Sequence, residues 1–118
     1  MKRYIIYLII SILCLLCTHT SYAVSVYAWY ANDFYTYVDV DSINWNPQHT
    51  SYSVSVSDSS PKYPNIIVID TYIFTLVNGE WLYSYIDSSG KVAEQFQPLY
   101  SERLKCIFNT SYEYAKKR

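Results

Sequence analysis

The chain has 118 residues, with nine lysines and arginines against ten aspartates and glutamates, for a formal charge of −1. No basic stripe runs through it, which excludes the clustered cations that nucleic acid demands. The length leaves room for one small domain and no second one.

The first segment reads as an address. Lys2 and Arg3 form a short basic region, and Ile5 to Leu16 make an apolar run broken only by Tyr7 and Ser11. Ser21-Tyr22-Ala23 then sets small residues three and one positions before a cut. This is the layout of a secretory signal peptide, and the run is shorter than the ~20 residues a spanning helix needs. Leu13 and Leu16 precede Cys14 and Cys17 where a lipoprotein signal carries Gly, Ala or Ser, so no lipid anchor is expected. The expected organisation is a signal peptide over 1–23 and a single secreted domain over 24–118, periplasmic or at the cell surface. It touches the membrane only through the signal segment before cleavage. Without Lys2 and Arg3, seven cations and ten acids give the domain a charge of −3. Cys106 is then its one cysteine, which leaves a free thiol or an intermolecular bond.

Twelve of the fifteen tyrosines and all three tryptophans follow Ala23, a composition that suits pleated, half-buried strands. Residues 24–31 predict a first strand, Asn32-Asp33 a two-residue turn, and 34–40 a second strand. Residues 51–57 alternate strictly, with Tyr52, Val54 and Val56 opposed to four serines, which predicts one buried and one wet face. A loop is expected over 59–64, then a long strand over 66–77. Asn78-Gly79 is a strong type I′ hairpin signal, with 80–86 as the partner strand. Asp87 to Gly90 predicts another turn, into a short strand from Lys91. The long strand carries Ile66, Val68, Tyr72, Phe74 and Leu76 on one face and Ile67, Ile69, Ile73 and Val77 on the other. It is expected to lie centrally with both faces covered.

One cover is legible. Ser101 is a candidate N-cap with Glu102 beside it, and Leu104, Ile107, Phe108, Tyr112 and Ala115 follow at helical spacing. The fold class is therefore α+β: an antiparallel sheet of about five or six strands with one C-terminal amphipathic helix on one face. A single helix cannot cover the long strand's second face, which predicts a homodimer held by sheet packing. Cys106 is expected on the wet side of the helix, so a Cys106–Cys106 bond would be secondary.

Little resembles catalytic chemistry. In FYTYVDVDSINW, residues 34–45, Asp39 and Asp41 share a strand face, but a calcium loop would need an oxygen ligand at Ile43 and Gly at Asn44. Two carboxylates on one wall cannot flank a glycosidic bond. Asp39 is read instead as a cap ending the strand. His49 and Cys106 lack an orienting third group and are too few for zinc. No catalytic residue, metal site or cofactor is expected, and the chain is not read as an enzyme. Trp81, Tyr83 and Tyr85 share one face of their strand. They are the candidate partner-binding residues, with burial beneath the helix as the competing reading.

The combination of a signal peptide, Trp29, Tyr35-Thr-Tyr37 and Asp39-Val-Asp41-Ser42-Ile43 resembles the surface-adhesin protein E type of small bacterial secreted domain. Ile86-Asp87-Ser-Ser-Gly90-Lys91-Val92 and FQPLYSERLKCIF resemble its later elements. The resemblance implies an antiparallel sheet with a helix on one side, exported to the cell surface, with adhesion to host matrix proteins in some members. It supplies no catalytic residues. Members often pair cysteines, whereas Cys106 has no partner within the domain. The expected function is a non-catalytic, secreted or surface-exposed binding module for a host matrix or envelope protein. The alternative is a periplasmic inhibitor or chaperone-like domain that binds an envelope enzyme.

Overall fold

The computed structural model describes residues 24–87, 89–93 and 96–118; the expected signal peptide over 1–23 lies outside them. Six strands follow in order: β1 Ser25–Ala31, β2 Phe34–Trp45, β3 Ser51–Ser60, β4 Tyr63–Val77, β5 Glu80–Ile86 and β6 Gln97–Pro98, then helix α1 Glu102–Ala115. They form one sheet in sequence order, each antiparallel to the next. The α+β class, the antiparallel sheet and the C-terminal helix are as the sequence predicts.

Turn chemistry explains the meander. Asn32 and Asp33 adopt φ of 54° and 68°, and Asn78 and Gly79 adopt 51° and 80°. These are the left-handed values of a type I′ turn, which matches the twist of the strands it joins. Between β2 and β3, Asn46 Oδ1 accepts the N–H groups of Thr50 and Ser51 at 2.8 and 3.0 Å.

Three boundaries differ from expectation. The second strand does not end at Val40 but runs to Trp45, slipping register between Asp39 and Asn44. Asp39 Oδ1 does accept a backbone N–H, that of Asp41 at 3.1 Å, and Ser42 Oγ takes the place of a ladder carbonyl by accepting Ser55 N–H at 2.7 Å. A side chain thus bridges the gap that the bulge opens. The expected loop over 59–64 is a tight turn at Pro61-Lys62 with Ser60 facing Tyr63. Beyond Asp87, Val92 makes only a single bridge to Ile86, and the last ladder belongs to β6.

The core follows from alternation. Val38 and Val40 of β2, Tyr52, Val54 and Val56 of β3, Tyr72 and Phe74 of β4 and Tyr83 of β5 point to the helix side and are buried. Leu104, Ile107, Ser111 and Ala115 of α1 meet them. Ser101 Oγ accepts Leu104 N–H at 3.1 Å, the expected cap. Two polar contacts orient the helix: Tyr52 Oη lies 2.8 Å from Ser111 Oγ, and Trp45 Nε1 donates to Ala115 O at 2.9 Å.

The expectation that β4 is covered on both faces fails. Fourteen helical residues span about 21 Å, whereas fifteen strand residues span about 50 Å. Only Tyr72 and Phe74 of β4 are buried, and Ile66 to Ile69 stand exposed on both faces. The face away from the helix carries the serine row of β3 beside a tyrosine cluster. Tyr27 lies 6.3 Å from Tyr37 and Tyr30 lies 4.6 Å from Tyr35, measured between ring centroids.

Candidate functional site

The most elaborated surface feature lies where α1 begins. The type I′ turn at Asn78-Gly79 sets the β4–β5 register and so places Tyr72 opposite Tyr85. Both rings, with Tyr83, point to the helix side of the sheet. The helix start brings Tyr100, Ser101, Arg103 and Leu104 above them, and Asp70 stands at the rim. Together these residues enclose a cleft of ≈ 230 Å³. Ring centroids are 6.5 Å apart for Tyr72–Tyr83 and for Tyr72–Tyr85, and 6.0 Å for Tyr83–Tyr100. The rings are mutually tilted, so the walls present aromatic faces and edges rather than a single stack.

A charged network fixes one wall. Arg103 Nη2 donates to Asp58 Oδ2 at 2.7 Å, and Nη1 donates to Tyr72 Oη at 2.7 Å. Asp58 also accepts the Thr36 hydroxyl. Thr36 is fully buried, so this chain of contacts ties β2, β3 and β4 to the first turn of α1 beneath the surface. The guanidinium carbon also sits 5.8 Å from the Tyr72 ring centre, a cation–π contact. Asp58 neutralises Arg103, whereas Asp70 makes no ion pair among the described residues. Burial raises the Tyr72 hydroxyl above its ordinary pKa, against the opposing pull of Arg103. Burial, reinforced by the neighbouring Tyr100 phenol, pushes Tyr83 up to about 12. Both are neutral hydroxyls at physiological pH.

The three sequence-predicted residues part company here. Trp81 packs within 5.3 Å of Phe108 and 5.6 Å of Tyr112, ring centre to ring centre, so it lies beneath the helix. Tyr83 is buried and forms the cleft floor, while Tyr85 is 43% exposed at its mouth. Asp70, Tyr72, Tyr100 and Arg103 were not singled out by sequence. The hairpin register gives a route to Tyr72, but nothing local announces that the helix start folds back over it.

The other titratable candidates do not converge. His49 stacks on Trp45 at 5.1 Å, and Trp45 in turn bonds the helix at Ala115. Cys106 lies nine residues earlier on α1, about 13 Å along the axis. Cys106 is free and half-buried rather than fully on the wet side. Asp41 Oδ2 accepts the backbone N–H of Val24 at 3.0 Å, and its other oxygen lies 3.5 Å from Arg118 Nη2. Asp39 and Asp41 therefore serve backbone and ion-pair contacts. Among the described residues no cluster of three or more His, Cys, Asp and Glu is placed to hold a metal. No helix among them is long and apolar enough to cross a membrane. Compared with family models, curated proteins and solved structures, the chain finds no match in any of the three.

Proposed function

We propose that residues 24–118 form an exported, non-catalytic binding module that anchors a basic side chain of a protein partner in the tyrosine cleft. The observation that carries this reading is the pairing of four tyrosines with an uncompensated carboxylate, Asp70, around one small concavity. At ≈ 230 Å³ the cleft is smaller than the roughly 300–1,000 Å³ of small-molecule and cofactor pockets. It suits one inserted side chain. Ring faces are electron-rich and attract an ammonium or guanidinium group, and Asp70 supplies the counter-charge. Arg103 does not oppose this strongly, because Asp58 already balances it at 2.7 Å. The domain charge of −3 draws basic partners from a distance.

Export rests on the leader's three-part layout and fits the resemblance to surface-adhesin protein E, whose members act outside the cell. A surface-displayed adhesin-like role is the reading this favours. Sequencing the N-terminus of the exported protein is expected to find Val24, and an intact Met1 in membrane fractions would overturn export. The cleft is tested by titrating a tetralysine peptide, with a tetraglutamate control, into isotope-labelled protein. Amide shifts clustered at Asp70, Tyr85 and Tyr100 and lost in Asp70→Asn are expected. Shifts spread evenly over the acidic surface, or unchanged in Asp70→Asn, would refute the assignment.

A further inference from the structure

Strand β4 has a neighbour on both sides only from Thr71 onward, where β5 begins to pair with it. From Ile67 to Asp70 it pairs with β3 alone. Leu76 N–H donates to Thr50 O at 2.8 Å, on the β3 side. An antiparallel strand turns successive residues to alternate neighbours, and the β3–β4 register is unbroken from Thr75 to Ile67. Ile67 and Ile69 therefore aim their N–H and C=O groups into the lane that β5 vacates. No described residue fills that lane.

The side chains here are as unusual as the backbone. Ile67 and Ile69 are each 63% exposed, and Ile66 and Val68 nearly half exposed, so the segment is apolar on both faces. Protein edges are normally blunted by charge, proline or bulges. This one is blunted only at its ends. Pro64 lies in a stretch where the register slips by three residues, between the Ser59–Ile67 and Ser60–Tyr63 pairs. At the other end Ile86 already faces Thr71. A segment of four or five residues fits between these stops, which disfavours open-ended growth.

We propose that a second copy of this chain occupies the lane, its β4 segment antiparallel to the first about a two-fold axis. With Val68 facing Val68 across the axis, Ile67 of each copy opposes Ile69 of the other, so the N–H and C=O groups aimed into the lane find partners and aliphatic side chains meet aliphatic side chains. This is the edge form of the sheet packing expected from sequence, and it uses backbone groups that the tyrosine cleft does not.

The test is sedimentation of the exported protein under reducing conditions across a concentration series, with amide hydrogen exchange. Wild type is expected to shift towards dimer with concentration while Ile67 and Ile69 amides gain protection. Ile67→Pro removes an N–H that the β3 ladder does not use, and Ile69→Lys places a charge on the edge. Each is expected to weaken the dimer by about tenfold or more with unchanged circular dichroism. If the proline variant fails to fold, the lysine variant decides. A monomer at every concentration, or a dimer that Ile69→Lys leaves intact, would overturn the proposal.

Discussion

Replacing Arg103 by methionine keeps the aliphatic stem and deletes the charge that ties α1 to the sheet. Asp58 would retain the Thr36 hydroxyl but lose the Nη2 donor at 2.7 Å, and Tyr72 would lose Nη1 at 2.7 Å. Stranding one partner of a fully buried pair costs about 3–5 kcal/mol, while exposed pairs are worth about 0–1 kcal/mol. The side chains of Arg103 and Asp58 are 29% and 19% exposed, which places this pair between those limits. The expected loss is about 2–3 kcal/mol, or a midpoint lowered by roughly 10–20 °C in a domain this size. Urea unfolding followed by tryptophan fluorescence measures it. Asp58→Asn, which keeps one acceptor oxygen but sets an NH2 group where the second oxygen accepted, is expected to cost about 1–2 kcal/mol. The double variant should fall short of the summed single effects by about 1 kcal/mol or more, because both single changes break the same contact. Strict additivity, or a cost below about 0.5 kcal/mol for Arg103→Met, would mean that the network is incidental.

Three further outcomes follow from other contacts. Trp81→Ala should cost about 3–5 kcal/mol by opening a cavity under α1; Tyr85→Ala should leave the urea midpoint nearly unchanged while abolishing tetralysine binding, and equal stability losses would contradict the division drawn between these residues. In alkali, Tyr83 binds its proton more tightly folded than unfolded, its pKa rising from 10.0 to about 12, so its contribution is fully present below pH 10 and is lost as pH climbs through about 12. Phenolate absorbance should therefore rise in two stages, the later one (Tyr52, Tyr72 and Tyr83) together with loss of near-ultraviolet dichroism, and a single reversible step near pH 10 in the folded protein would refute the burial. Asp39→Ala should cost about 0.5–1 kcal/mol for its lost contact to Asp41 N–H; calcium or magnesium should leave the melting temperature unchanged, and a metal-dependent rise would reverse the reading of both aspartates.

What the sequence by itself determined was everything set by local chemistry. Asn32-Asp33 and Asn78-Gly79 specify their turns because few residues accept positive φ, and each sets the register of the strands next to it, throughout β4–β5 and as far as Trp29 in β1–β2. The alternation of serines with Tyr52, Val54 and Val56 specifies which side of β3 is buried. Ser101 and the apolar spacing after it specify the helix. Tertiary structure decided how far each element extends and what it meets. A bulge bridged by Ser42 carries β2 past Asp39, which strand periodicity cannot foresee because the bridging partner, Ser55, is thirteen residues away. The placement of α1 on the sheet half-buries Trp81, leaves Tyr85 open and brings Arg103 to Asp58, 45 residues distant in the chain. The same placement ends short of Ile66–Ile69. A helix of fourteen residues and a strand of fifteen differ more than twofold in length, so which part of β4 stays bare depends on where the helix is anchored, and that is fixed by Tyr52–Ser111 and Trp45–Ala115 contacts between distant segments.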